Sequence, residues 1–145
     1  MFPIQKETFE IIASGKDILA SDRTGSGKTL AYVLPILERL ESEGASIQKS
    51  TKAQFLILCP TRELTNQVAS EVKKFLGNRQ VLSVYGGTSI QEQINHHNSG
   101  VGVLVATPGR LIDLLERKAI DLSQLKVVCL DEADTMLEKG FKDDV

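Results

Sequence analysis

Ser21-Asp22-Arg23-Thr24-Gly25-Ser26-Gly27-Lys28-Thr29 lies between a short apolar run, Ile18-Leu19-Ala20, and a longer apolar-periodic one that begins at Leu30. A strand feeding a glycine-rich loop that opens a helix is a phosphate trap: backbone N–H groups curl around the β-phosphate and the helix N-terminus adds partial positive charge. In the pattern G-x-x-x-x-G-K-[ST] the lysine reaches the β and γ phosphates and the hydroxyl ligates Mg²⁺, which assigns those tasks to Lys28 and Thr29. The first glycine of the pattern is replaced by Asp22. A carboxylate there must point away from the phosphates, because two anions in one nest repel. A Gly-Ser turn that only caps a helix and carries a lysine would read the same over this stretch. The strand before it and the helix after it favour the phosphate loop.

The flanking chain extends the pattern. Before the loop, Phe9, Ile12 and Ala13 have helical spacing and Gly15 is a left-handed stop; a strand is expected over 17–20. After it, Leu30, Val33, Leu34, Leu37 and Leu40 make a helical stripe that Pro35 should kink or shorten, and 41–52 reads as a surface loop. Four more strands follow: Phe55-Leu56-Ile57-Leu58-Cys59, Val81-Leu82-Ser83-Val84-Tyr85, Val103-Leu104-Val105-Ala106 and Val127-Val128-Cys129-Leu130. Between them Thr61 caps a helix with Leu64, Val68, Val72, Phe75 and Leu76 on its apolar face. Ser89 and Glu92 make a capping box, and Thr107 with Pro108 starts the helix of Leu111, Leu114 and Leu115. Strands that are apolar without alternation are buried on both faces, so the fold class is α/β: a mostly parallel sheet with helices on both faces, a three-layer sandwich. Ligands of such sheets bind outside the carboxyl ends of the strands. The polar clusters at 24–29, 60–63, 86–87, 107–110 and 131–134 are therefore expected on one edge.

Composition bounds the partners. With 145 residues the chain is sized for one domain, and 41% apolar with 25% charged residues is ordinary for a soluble protein. A formal net charge of −2 excludes a generally basic coat, so any contact with a polyanion must be local. No run is long and apolar enough for a membrane span, and no basic-then-apolar leader is present. Cys59 and Cys129 end apolar runs without C-x-x-C spacing, which reads as two reduced strand cysteines in an intracellular, reducing compartment rather than zinc ligands. His96 and His97 are expected to face solvent at a polar helix end.

Each cluster has a chemical reading. Asp131 follows a hydrophobic strand, where a carboxylate is held rigidly enough to orient Mg²⁺, and Glu132 is placed to polarise an attacking water. Phosphoanhydride hydrolysis needs charge neutralisation and an in-line water, which Lys28, Thr29, Asp131 and Glu132 can supply. The same four residues 131–134 would also suit the N-terminal dipole of any helix. Pro60-Thr61-Arg62-Glu63-Leu64 and Thr107-Pro108-Gly109-Arg110 both place an arginine at a helix start after a strand, and Gly86-Gly87 leaves amides exposed between them. Such a row of anion sites suits a sugar-phosphate backbone. Equally, Arg62 and Arg110 could pair with Glu63 and Asp113 on their own helices.

Taken together these residues resemble the N-terminal RecA-like domain of the DEAD-box RNA helicases, over nearly the whole chain. Pro3-Ile4-Gln5 is similar to the end of the Q motif, 24–29 to motif I and 60–64 to motif Ia. Gly86-Gly87 is similar to the GG doublet, 107–110 to motif Ib and Asp131-Glu132-Ala133-Asp134 to motif II, followed by Met136-Leu137 and Gly140-Phe141. The resemblance implies a RecA-like P-loop NTPase fold and ATP as nucleotide, with Gln5 reading adenine, the loop residues Thr24, Gly25, Ser26, Gly27, Lys28 and Thr29 holding the phosphates, and Mg²⁺ held by Thr29 and Asp131, partly through water. It implies single-stranded or duplex RNA gripped by Pro60, Thr61, Arg62, Gly86, Gly87, Thr107, Pro108, Gly109 and Arg110, with Asp134 coupling the two sites. It also implies that residues 1–145 are a fragment, stopping before the Ser-Ala-Thr motif III and a second RecA-like domain acting in cis. The implied activity is ATP hydrolysis coupled to RNA unwinding in the full-length protein, with weak nucleotide binding and little turnover in the fragment. Two other readings compete: a DNA-directed helicase of the wider superfamily, and a nonenzymatic RNA-binding module with a relic phosphate loop.

Overall fold

Helical spacing of apolar residues shapes the first part of the chain. The computed structural model describes residues 3–20, 27–44, 47, 51–138 and 140, and the chain divides into two units, Met1–Ser46 and Ile47–Val145. In the first, α1 (Pro3–Ala13) packs on α2 (Lys28–Ser42). Helix α1 starts earlier than hydropathy indicates, taking in Pro3, Ile4 and Gln5, and ends at the left-handed Gly15 expected from the sequence. Pro35 neither ends nor shortens α2. Its ring leaves the Ala31 carbonyl without an intrahelical donor. Thr8 of α1 answers this, its buried Oγ1 lying 2.6 Å from Ile4 O and 3.3 Å from Ala31 O.

The strand expected over 17–20 does not form. Asp17, Ile18, Leu19 and Ala20 are all exposed, Leu19 by 95%, and none pairs with a strand. Only three of these four residues are apolar and one of them is Ala20, so pairing here would bury less apolar area than at Phe55–Leu58 or Val103–Ala106. Among the described residues the sheet thus has four strands, all in the second unit, and the phosphate-loop cluster does not follow one of them.

Those strands are β1 (Phe55–Leu58), β2 (Val81–Val84), β3 (Val103–Ala106) and β4 (Val127–Leu130), parallel throughout in the order β2-β3-β1-β4. The connecting helices are α3 (Arg62–Leu76), α4 (Ile90–Asn98) and α5 (Pro108–Glu116), with α6 (Ala133–Glu138) after the last strand. The step from β1 to β2 runs one way across the sheet and the steps to β3 and β4 run back. Right-handed crossovers then place α3 on one face and α4 with α5 on the other. The packing agrees: Leu56, Leu58, Leu82, Val84, Leu104 and Ala106 share a core with Leu111 and Leu114 of α5 and with Ile90 and Ile94 of α4. On the opposite face α3 packs against β2 and β3. Its buried stripe is Thr65, Val68, Ala69 and Val72; Phe75, expected inside, is 45% exposed.

Outside the sheet, the Lys52 ammonium 2.7 Å from Asp121, helped by the Ser123 amide, holds that carboxyl well below the usual carboxylate range. A tighter constraint lies at Gly102, just before β3. Its N–H donates to Gln80 O at 3.1 Å and its carbonyl accepts from Gln54 N at 2.9 Å. A Cβ added there would stand 2.8 Å from the Ile47 carbonyl and against the Ile47 side chain. Gly102→Ala is therefore expected to destabilise the second unit by ~1–3 kcal/mol through overpacking, read as a lower urea midpoint at unchanged m-value. An unchanged midpoint would mean that Ile47 moves aside at no cost.

Candidate functional site

In the first unit, the candidate nucleotide residues that fall among the described ones gather at the start of α2. Gly27 caps that helix with φ 81° and ψ 26°, a left-handed conformation that costs a residue with Cβ roughly 1–2 kcal/mol. Lys28 and Thr29 follow as its first two residues, where unpaired backbone N–H groups and the helix dipole favour an anion. Gln5 is buried on α1, 6% exposed, and its Nε2 donates to Gly27 O at 3.2 Å. This bond joins α1 to the residue that caps α2. Asp22, Thr24, Gly25 and Ser26 lie outside the described residues.

In the second unit, register brings the other clusters into one row. Leu58 pairs with both Ala106 and Leu130, and Val84 pairs with Ala106, so all four strands end level. Across the edge the next residues are Tyr85, Thr107, Cys59 and Asp131. Backbone bonds continue one step past the strands: Cys59 N to Ala106 O, Thr107 N to Val84 O and Asp131 N to Leu58 O, each at 2.9 Å. Asp131 is thereby fixed at the carboxyl edge beside the start of the 60–64 segment. Glu132, exposed, has φ 50°, an outlier for a residue with a side chain. That turn carries the chain from β4 into α6, where Met136 N donates to Glu132 O at 3.2 Å and Asp134 sits exposed in the first turn.

The two threonines that precede helices differ in use. Thr61 caps α3, its Oγ1 accepting from Leu64 N at 3.1 Å while its carbonyl accepts from Thr65 Oγ1 at 2.8 Å. Thr107 occupies the cap position of α5, with Pro108 following, but its hydroxyl makes no capping bond. The two arginines avoid the intrahelical acids considered above. Arg62 lies over the Tyr85 ring, 4.8 Å from its centroid, and Arg110 Nη1 donates to Thr88 O and Gln93 Oε1, both at 3.2 Å. Asp113 pairs instead with Arg117, at 2.8 Å. Gly86 and Gly87 are exposed, Gly87 with φ 81°, and neither amide donates a hydrogen bond among the described residues.

The model of the DEAD/DEAH box helicase family matches residues 2–145. The chain belongs to that family. It is 48% identical over 145 residues to human "ATP-dependent RNA helicase DDX50", covering 100% of this chain and 20% of that protein. Likewise it is 48% identical over 144 residues to "RNA helicase CrhR" of Synechocystis sp., covering 98% and 28%. Among solved structures, ADP-bound Prp28 from Chaetomium thermophilum superposes with a TM-score of 0.87 at 40% identity, over 99% of this chain and 35% of that one. The chain thus spans only about a fifth to a third of the length of these proteins.

Beyond the DEAD/DEAH box motifs, two buried polar residues of α4 escaped the sequence reading. Gln93 and His97 are 7% and 8% exposed. His97, expected in solvent, accepts from Asp121 N through Nε2 and meets Asn98 Oδ1 through Nδ1, both at 3.4 Å, while His96 Nε2 lies 3.1 Å from Arg79 O. A signal was present: Ile90, Gln93, Ile94 and His97 share one helical stripe, so the two polar side chains had to be inside. Among the described residues no helix is long and apolar enough to cross a membrane.

Cys59 is buried and Cys129 half-buried, both as free thiols, and desolvation followed by the negative charge of Asp131 pushes each from 9.0 up to about 12. At pH 8 the folded thiols should react with a disulfide reagent at least about tenfold more slowly than in the unfolded chain, because the thiolate is the nucleophile and its higher basicity offsets only part of its scarcity. The linkage has one sign. The unfolded thiol ionises first, so stability is level below pH 9.0 and falls as pH rises toward about 12. Chemical denaturation of wild type and of Cys59→Ala/Cys129→Ala at pH 8 and pH 10.5 checks this, the variant showing the shallower loss.

Proposed function

We propose that this chain is the nucleotide-binding RecA-like domain of an ATP-dependent RNA helicase, in which ATP binding and hydrolysis are coupled to single-stranded RNA binding and local duplex unwinding. The observation that carries this reading is the level row of strand ends. It gathers Asp131-Glu132, Thr61-Arg62, Thr107–Arg110 and Gly86-Gly87 at one edge of a parallel sheet. The start of α2 supplies Lys28 and Thr29 for the β and γ phosphates, and Gln5 reads the adenine edge. Glu132 orients a water for in-line attack on the γ-phosphorus, the bond to the β-phosphate breaking as ADP leaves.

Thr29 offers a hydroxyl and Asp131 a carboxylate, oxygen ligands of the kind Mg²⁺ takes in small number beside water and phosphate oxygens. Held by them, partly through water, Mg²⁺ would neutralise phosphate charge. RNA is gripped through its backbone by Pro60, Thr61, Arg62, Gly86, Gly87, Thr107, Pro108, Gly109 and Arg110. The unengaged Thr107 hydroxyl and the exposed glycine amides support this. Asp134 links the two sites. A second RecA-like domain in the parent protein is supported by the small share of each relative that this chain covers, and its arginines would contribute roughly 10³ to 10⁵ in rate, as in related hydrolases.

The test uses the full-length protein. Its ATPase should rise at least tenfold with single-stranded RNA and little with single-stranded DNA. Glu132→Gln should lower kcat by about 10² or more while fluorescent ATP still binds, whereas Lys28→Ala should weaken nucleotide binding itself. Normal ATP turnover by Glu132→Gln, or equal stimulation by DNA, would overturn the assignment.

A further inference from the structure

Gly86 and Gly87 can present amides to a phosphate only if the loop holding them keeps its shape, and glycine has no side chain with which to hold it. The structure supplies that hold from α4. Gln93 Nε2 donates to Tyr85 O at 3.0 Å and to Thr88 Oγ1 at 2.8 Å, so one side-chain amide ties the residues on either side of the doublet. Thr88 Oγ1 lies a further 3.3 Å from Tyr85 O, closing the small ring. The Gln93 carbonyl oxygen accepts from Arg110 Nη1 at 3.2 Å, and that guanidinium also donates to Thr88 O at 3.2 Å. Both amide hydrogens and the acceptor of Gln93 are engaged, in a site only 7% exposed.

We infer that Gln93 is a positioning residue for the RNA grip, clamping the Tyr85-to-Thr88 loop to Arg110 so that the glycine amides and the start of α5 face one phosphate backbone in fixed relation. The inference rests on the RNA-binding reading above and adds a residue that none of the motifs contains. Arg110 then serves first as a strut: its Nη1 is directed at the protein, and it presents only its remaining N–H groups to a ligand. Arg62, stacked on Tyr85 with its Nη1 3.4 Å from where a Gly87 Cβ would stand, braces the same loop from α3. Leucine at position 93 fills similar volume but removes both donors from the loop and the acceptor from Arg110, leaving Thr88 as the remaining partner of the Tyr85 carbonyl and of Arg110 Nη1. Glutamate keeps an acceptor for Arg110 and loses both donors to the loop.

In the full-length protein, Gln93→Leu and Gln93→Glu should each raise the KM for single-stranded RNA in stimulated ATPase assays by about tenfold. The kcat at saturating RNA should stay within about twofold, and fluorescent-ATP affinity should not change. A merely structural role would lower ATP affinity and kcat together with RNA affinity, and that result overturns the inference. So does an unchanged RNA KM in either variant that folds; Gln93→Glu preserves size and polarity should the leucine form not fold. If wild type shows no RNA stimulation, the functional reading and the inference fall together. If wild type is stimulated and the variants match it, only the clamp is lost.

Discussion

Three ladders of backbone hydrogen bonds, β2 to β3, β3 to β1 and β1 to β4, set the geometry on which the second unit depends. Neighbouring parallel strands stand ~4.8 Å apart, so strands that end level deliver the segments after them to a single rim at that spacing. A slip of one residue in any ladder would move one segment along the rim by ~3.3 Å. It would also turn that strand's apolar side chains to the wrong face. Burial opposes it most in β1 and β3, which are buried at every position, so that a slip would exchange side chains fitted to different surroundings on the two faces. The same constraint that packs the core therefore aligns the polar segments.

Much of this was legible because the strands announce themselves. Val103–Ala106 and Val127–Leu130 fall where apolar runs bounded by polar segments place them, and β1 and β2 each stop one residue short of expectation. What hydropathy could not supply was side-chain hydrogen bonding. Thr65 is fully buried, its hydroxyl returning to Thr61 O, although hydropathy leaves it off the apolar stripe. Thr8 sits beside the carbonyl that Pro35 strips of its donor, so a residue that usually breaks a helix stays inside one. Neither pairing leaves a mark on a periodicity. The missing strand at 17–20 failed for another reason: three consecutive apolar residues state a preference for burial without stating what would cover them.

The site shows the same division. Residue types and their order along the chain pointed to Gln5, Lys28, Asp131, Glu132 and the glycine doublet, and the structure ties Gln5 to Gly27 and sets Asp131 at a strand end. Arginine partners were the harder question. Local charge offered Glu63 and Asp113; the fold instead gave Arg62 an aromatic face and Arg110 an amide and a carbonyl. Glu63 adjoins Arg62, and side chains at i and i+1 do not face each other, while the (i, i+3) pair of Arg110 with Asp113 would be worth only a few tenths of a kcal/mol. Contacts closed by the fold win over it. These choices link residues far apart in sequence, which is why spacing alone does not reveal them.

Strand order has a further effect, on how the sheet comes into being. Of the described strands the two earliest in the chain, β1 and β2, are not neighbours; the place between them belongs to β3, which comes later. Until Val103 and its successors emerge, neither early strand has a partner of its own, and both expose apolar edges to whatever else is nearby. Assembly must wait for the middle piece. Its arrival closes two ladders at once, β2 to β3 and β3 to β1, and β4 then adds the third against β1.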